Sequence, residues 1–296
     1  MDIALLSVSL GVHSTRRIAQ EAEALGHYVE LIDHTKCSVK LGEGQPKIFI
    51  GEEDITNEFD AIIPRIGTKV TRHGAAIVKQ FEMNDIFSTA RSLGITRARN
   101  KVRTLQIMAR KGIPIPETLF SINPDNIGDQ LRILGGAPVI IKLQEGTQGR
   151  GVILAESQKS AKSIIDTFYK MDTSILMQRF IEEANGEDIR IIVVGSKVVA
   201  SMKRTSQLDD FRSNVHRGGD TVAVQISPKE AKIAVNAAKY LGLGVAGVDL
   251  MRSKNGPVLI EVNASPGLKG IEHATNINVA KHIIQFVERN VGRRRK

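Results

Sequence analysis

The strongest local constraint in this chain is the stretch LGVAGVDLMRSKNGPVLIEVNASPG, residues 243–267, in which two apolar runs flank the dipeptide Asn255-Gly256. Asn-Gly between strand-like runs is a strong short-range hairpin signal, so two antiparallel strands joined by a turn around Lys254 to Pro257 are expected. The period of two places Glu261 and Asn263 on one face of the second strand. With the hairpin centred near Asn255, Asp249 and Glu261 are equidistant from the turn and lie across from each other. Two carboxylates and an amide oxygen on one face are hard donors suited to Mg²⁺ or Mn²⁺, which share their remaining positions with water and phosphate. The inference depends on register, because a slip of one residue would send Asp249 to the opposite face.

A second constraint is the glycine-rich loop after VIIKL (139–143), where QEGTQGRGVILAE carries Gly146, Gly149 and Gly151. A Walker loop needs Lys and Ser or Thr after its last glycine and then a helix; Val152 and Ile153 stand there, and a strand follows. Two readings fit, an ordinary hairpin or a loop lying over bound phosphates, since glycine lets backbone N–H groups approach an anion without a Cβ in the way. Lys142, inside the apolar strand, favours the second because a half-buried ammonium wants an anion, although a snorkelling edge residue would look the same. Further on, DFRSNVHRGGD places Arg212, Asn214, His216 and Arg217 in a turn-rich stretch. It is either a surface loop or a set of forks and amides for phosphate or carboxylate oxygens.

The remaining chain sets the context. At 296 residues about two domains are expected, with room for a full core. Residues 1 to about 90 alternate strand and helix, which favours a parallel α/β layer: a strand at Ile3–Val8, a helix from Ser14 as N-cap to Leu25 with Gly26 beyond it, and a strand at Tyr28–Asp33. Two short strands are expected between Cys37 and Ile55, and DAIIPRIG supplies another strand. LGVHST follows the first strand where a dinucleotide fold would carry G-x-G-x-x-G, so that cofactor reading fails at its own signature. Asp2 stands where a signal peptide would be positive, and no run approaches a membrane span. ITRARNKVRTLQIMARKGI (95–113) has six positive charges and no acid, and reads as a helix with a basic face, either solvated or in contact with a polyanion.

The formal charge of +9 suggests an anionic partner, but Arg293, Arg294, Arg295 and Lys296 form a basic tail that reads as solvated. With nine Phe, three Tyr and no Trp, stacking on successive bases is disfavoured, so no direct nucleic-acid readout is expected. A single cysteine, Cys37, excludes an internal disulfide and a Cys-rich zinc site and suits a reducing compartment; there is no His-Glu-x-x-His pair.

Taken in order, PRIGT, QFEM, IKLQEGTQGRGVILAE, DFRSNVHRGG, AGVDLMR and EVNASPGLKGIE resemble the ATP-grasp ligases, and among them the RimK type, from the first strand to about Asn290. The resemblance implies an ATP-grasp α/β fold with an N-terminal Rossmann-like pre-ATP-grasp domain at 1–95, a central subdomain with the glycine loop at 96–180 and a C-terminal subdomain with the metal site at 181–296. It implies a cytoplasmic enzyme that adds glutamate to the C-terminus of a small-subunit ribosomal protein through an acyl phosphate. ATP and two Mg²⁺ or Mn²⁺ would be its cofactors, and a homo-oligomer is allowed. By position, Lys142, the Gly146, Gly149 and Gly151 loop and, more weakly, Lys101 would meet phosphate. Arg179, Phe180 and Asp188 would line the adenosine pocket. Arg212, Ser213 and Asn214 would reach phosphates or the reacting acyl group, with Arg212 and Asn214 catalytic. Asp249, Glu261 and Asn263 would bind the metals.

Both substrates carry carboxylates, which makes Arg65, Lys203, Arg204 and Arg217 candidate contacts. Arg179 stands where an acidic residue belongs at the adenine hinge, and Asn100 replaces an Asp before Lys101. Two rival readings stay open: ligation onto another amino-acid or carrier-protein acceptor, and a non-catalytic RNA- or ribosome-binding protein. Against the second, Asp249 and Glu261 would have no purpose in polyanion binding.

Overall fold

The computed structural model describes residues 1–122, 126–144, 151–171, 173–206 and 220–294, with side chains as far as Val291. The N-terminal part contains β1 (Asp2–Leu6), α1 (His13–Ala24), β2 (Tyr28–Ile32), β3 (Cys37–Lys40), β4 (Lys47–Ile50), β5 (Glu53–Asp54), β6 (Ala61–Pro64), α2 (Thr71–Met83) and β7 (Phe87–Ser88). β2, β1, β6 and β7 form a parallel sheet in that order. Parallel sheets need both faces covered, and β1 supplies apolar side chains to both. Ile3 and Leu5 pack in one cluster with Ile18 and Ala22 of α1, and Ala4 and Leu6 pack in another with Ile77 and Phe81 of α2. β3, β4 and β5 form a small antiparallel sheet whose Cys37 and Ile48 join the α2 side. It has three strands where two were expected, because the short β5 also pairs with β4.

Two expectations about helix ends are corrected. Ser14 does not cap α1: Val12 occupies the N-cap without a side-chain bond, and Ser14 is buried one residue inside the helix, where its Oγ accepts from Arg65. The basic segment is two helices, α3 (Ser92–Arg99) and α4 (Lys101–Arg110). The break falls at Asn100, whose extended backbone lets Oδ1 accept from the Arg103 N–H at 2.9 Å, an N-cap that the periodicity of apolar residues cannot reveal.

The centre of the chain contains β8 (Thr118–Ser121), α5 (Ile127–Ile133), β9 (Val139–Leu143), β10 (Val152–Ala155), α6 (Gln158–Lys170) and β11 (Ile175–Arg179). Its antiparallel sheet runs β10, β9, β11, β8. Val139, Ile141, Ile175 and Met177 pack beneath α5 and α6. Alternation therefore turns Ile140, Lys142, Leu176 and Gln178 to the other face.

The last part contains β12 (Glu187–Val194), β13 (Lys197–Thr205), β14 (Asp220–Ala223), α7 (Pro228–Leu241), β15 (Val245–Ser253), β16 (Gly256–Asn263), α8 (Lys269–Thr275) and α9 (Val279–Arg294). Five antiparallel strands run β14, β13, β12, β15, β16. Ile189, Ile191, Val248 and Leu250 face α7, whose start is fixed by a reciprocal Ser227–Glu230 capping box. On the opposite face Ile192, Val194, Ala200 and Met202 pack with Ile271 of α8, Ile283 and Ile284 of α9, and the α1 side of the first sheet. The chain thus returns its C-terminal helix to its N-terminal sheet.

Within the N-terminal core His34 has no solvent exposure, and neither ring nitrogen has a hydrogen-bond partner. Burial lowers its pKa, with His73 adding to the effect and Asp33 opposing it. A neutral buried imidazole competes with an unfolded chain that takes up a proton below about pH 6.5, so stability is lost as pH falls through that value. His34→Leu, which removes two orphaned polar atoms, should flatten the loss between pH 7 and 5 while matching or exceeding wild-type stability at pH 7. Urea unfolding across that range tests this; an unchanged slope would show that His34 is not responsible.

Candidate active site

The hairpin register is the first determinant of the site. β15 and β16 pair Ser253 with Gly256 and Leu250 with Leu259, a register that would place Asp249 opposite Ile260. A bulge intervenes, Ile260 is passed over, and Asp249 pairs with Glu261 and Gly247 with Asn263. Asp249 and Glu261 therefore share a face, as the sequence suggested, but they do so because the extra residue compensates for a turn that is tighter than a centre at Asn255. Gly247 makes room for the loop after Asn263: a Cβ there would lie 2.8 Å from Cβ of Pro266.

The same face of β12 and β13 carries Asp188, Arg190 and Arg204, with Arg190 opposite Asp249 and Asp188 opposite Arg204. Arg190 donates from Nε and Nη2 to both oxygens of Asp249 at 2.8 and 2.7 Å. Arg204 donates from the same two nitrogens to Asp188 at 2.6 Å each, and its Nη2 stands 3.0 Å from Asp249. Arg204 is only 2% exposed and Asp249 4%. Burial alone would push the Asp249 carboxyl up, but Arg190 and Arg204 outweigh it and hold the group below the ordinary carboxylate range. For Arg204 burial works against the charge, and Asp249 and Asp188 more than restore it.

This network changes how several expected residues are placed. Arg204, anticipated at a substrate, spends its fork on two buried carboxylates, and Lys203 pairs with Glu187 at 2.7 Å. Arg190 was missed; its signal was the alternation of charged and apolar residues in EDIRIIVV, which puts it on the Asp188 face. Glu261 is exposed and makes no hydrogen bond or ion pair among the described residues, and Nδ2 of Asn263 is buried without a partner. No group of three or more His, Cys, Asp or Glu suited to a metal occurs among the described residues. The donor set expected for a divalent ion is Asp249, Glu261 and Asn263, two carboxylates and an amide. It fits a hard ion, since Asp249 Oδ1 keeps a lone pair beyond its bond to Arg190 and Glu261 is uncommitted.

Lys142 stands on the open face of the central sheet and donates to Gln178 Oε1 at 2.6 Å; Gln178 in turn donates to Thr118 Oγ1 at 2.8 Å. Burial brings the ammonium down to about 8, Glu261 opposing and Lys101 adding to the effect. Gln178 was a second miss, visible only once β9 and β11 are paired. Lys101 donates to the Gln144 carbonyl at 3.3 Å, next to the start of the glycine loop. At the loop's end Gly151 has φ +73°, and a Cβ would lie 2.5 Å from Leu143 Cδ1, so glycine is required there. Arg179 is an exposed residue at the end of β11 that reaches Glu117 at 3.3 Å, and Phe180 beside it is half-buried. Gly146, Gly149, Arg212, Ser213, Asn214 and Arg217 lie outside the described residues.

Comparison with known proteins agrees with this architecture. Residues 1–95 match a family model described as a RimK PreATP-grasp domain, and residues 98–287 match one described as a RimK-like ATP-grasp domain. A curated protein of Vibrio vulnificus named probable alpha-L-glutamate ligase is 51% identical over 290 residues, covering 98% of this chain and 96% of its own. A protein of the same name from Nitrosococcus oceani is 49% identical, covering 100% and 98%. Among solved structures, the ATP-grasp ligase PsnB complexed with minimal precursor, Mg and ADP superimposes with a TM-score of 0.76 at 18% identity, covering 98% of both chains. A RimK domain ATP-grasp protein of Sphaerobacter thermophilus gives 0.73 at 22%, covering 97% and 99%. With a parallel N-terminal sheet, an antiparallel central sheet bearing Lys142, and a C-terminal sheet bearing Asp249 and Glu261, the chain belongs to the RimK family of ATP-grasp ligases.

Proposed function

We propose that this ligase joins the amine of L-glutamate to the C-terminal carboxylate of a small-subunit ribosomal protein at the expense of ATP. The observation that carries the reading is the pairing of Asp249 with Glu261 on the last sheet together with Lys142 on the central one, the charge of Glu261 being close enough to Lys142 to favour its ammonium form. The names of the half-identical relatives supply the glutamate. A peptide acceptor is favoured by the precursor peptide in another PsnB complex, and the Mg and ADP of the PsnB complex above favour ATP with Mg²⁺. On this reading the two N-terminal sheets, the central sheet and the last sheet correspond to units 1–95, 96–180 and 181–296.

In the proposed reaction an oxygen of the acceptor carboxylate attacks the γ-phosphorus, ADP leaves, and an acyl phosphate forms. The glutamate amine then attacks the acyl carbon, phosphate departs with the C–O bond, and the ammonium proton is released. Asp249, Glu261 and Asn263 would hold the divalent ions, which when bound neutralise charge on phosphate oxygens. Phosphoryl transfer needs positioning and charge compensation more than a protein nucleophile. Lys142, fixed by Gln178, would supply a cation to the phosphates from a site with little water. Arg179 and Phe180 would line the adenosine pocket largely through backbone groups, and Asp188, held by Arg204, would close it. Arg212 and Asn214 would contact the transferred group, and Arg65 and Arg217 are proposed on the substrate side.

The reading is tested by incubating the protein with ATP, Mg²⁺, glutamate and small ribosomal subunits: one subunit protein should gain mass in glutamate steps at its C-terminus. An unchanged mass there, with ADP release on another acceptor, would move the reaction to that acceptor. Glu261→Gln should lower turnover at least a hundredfold with little change in melting temperature, since Glu261 is exposed and makes no hydrogen bond or ion pair among the described residues; full activity would remove the metal assignment. Asp249→Asn is expected to cost stability as well, about 3–5 kcal/mol, because it leaves Arg190 and Arg204 short of a buried counter-charge. Lys142 is protonated below about pH 8 and neutral above. ATP affinity measured by calorimetry should therefore weaken from pH 7 to 9, and Lys142→Arg should hold its affinity across that range.

A further inference from the structure

We infer that Arg65 and Arg99 form a preorganised pocket for a substrate carboxylate on the N-terminal side of Glu261; the inference rests on the ligase reading and names the residues that hold one end of a substrate. Arg65 follows β6, and β1 has β2 on one side and β6 on the other, so the chain reverses its strand order between β1 and β6. The crevice outside the carboxyl ends of strands at such a reversal is where open α/β sheets bind ligands.

Two bonds place Arg65 there: Nη2 donates to Ser14 Oγ at 2.9 Å and to the Pro266 carbonyl at 2.8 Å, tying the first sheet to the loop that follows Asn263. Arg99, at the end of α3, donates from Nη2 to the Ile66 carbonyl at 2.7 Å. Both side chains are half-buried, the Nε of each is buried without an acceptor, and neither meets a carboxylate among the described residues. Nδ2 of Asn263, in the segment that leads to Pro266, is a third buried donor without a partner.

Arg99 bonds the carbonyl of Ile66, the residue that follows Arg65, which sets the two arginines beside each other on the backbone, and such a pair is costly when partly desolvated and unpaired. Burial, with Arg99 adding to it, brings Arg65 down to about 10; Arg99 is also lowered by burial, and Glu261 offsets this in part. Other cations of the region are already matched, Arg204 with Asp188 and Asp249, Arg190 with Asp249, and Lys203 with Glu187. The unmatched pair is therefore a local excess of donors held rigid by neutral partners, as recognition of a planar anion requires. The expected anion is a carboxylate, since the nucleotide phosphates are assigned to Lys142 on the central sheet. Free glutamate and the acceptor C-terminus both offer one.

Equilibrium binding separates the two sources without requiring turnover. The full-length protein, with ADP and Mg²⁺, is titrated with L-glutamate and with a peptide bearing the C-terminal sequence of the acceptor, each also as its α-carboxamide. Wild type should prefer one carboxylate probe over its amide at least tenfold, and Arg65→Met and Arg99→Met should erase that preference while ADP affinity stays within about threefold. Arg99→Lys, which keeps the charge but not the fork, should fall between. Wild-type melting behaviour in Arg99→Lys guards against a folding defect. Equal preference for acid and amide in wild type, or a preference that survives in both Met variants, overturns the pocket. Failure of glutamate transfer in the turnover assay with the carboxylate preference intact would instead overturn the ligase reading alone.

Discussion

The buried charge lattice on the last sheet, Asp188 with Arg204 and Asp249 with both Arg204 and Arg190, is the interaction on which the site depends. Each member would be costly alone in that environment, and together they satisfy one another across β12, β13 and β15. The consequence for chemistry is that Asp249 is held ionised and in place, while Glu261 opposite it makes no hydrogen bond or ion pair among the described residues. One carboxylate is anchored and the other is available.

The lattice occupies half of a sheet face. The other half of that face, from Ile192 and Val194 to Ala200 and Met202, is apolar and sealed by α8 and α9. The change from core to site occurs within β12 over a single step of two residues, from Ile192 to Arg190. The same division appears on the central sheet, where helices cover Val139 and Ile141 while Lys142 and Gln178 face the opposite way. Both sheets thus use one face to fold and reserve part of the other for charged groups. Arg65 links this arrangement to the N-terminal domain through Ser14 and the Pro266 carbonyl.

Much of this was legible in the residues. Asn255-Gly256 announced the hairpin, period-two alternation put Glu261 and Asn263 on one face, and Lys142 stood out as a cation inside an apolar strand. The pairing of Asp249 with Glu261 was reached with an incomplete reason, because the bulge at Ile260 has no marker in the pattern of apolar residues. Ser14 resembled a helix cap in isolation and instead serves Arg65 from within α1. The break at Asn100 depends on a local side-chain bond that competes with helix continuation. Arg190, Arg99 and Gln178 were passed over because each is a common residue type in an unremarkable segment, made significant only by what lies across a strand or helix from it.

The sequence by itself determined the strand and helix alternation, the carboxylate, amide and ammonium groups of the candidate site, and the family, since these rest on local spacing and on ordered motifs. The tertiary structure decided which charges cancel and which remain open. Whether Arg204 or Arg65 meets a carboxylate of the fold is a matter of strand register and interdomain contact, and a guanidinium's electrostatic role follows from the charges brought within a few ångströms of it. Those distances join residues as far apart in the chain as Arg65 and Pro266, beyond the reach of any local pattern.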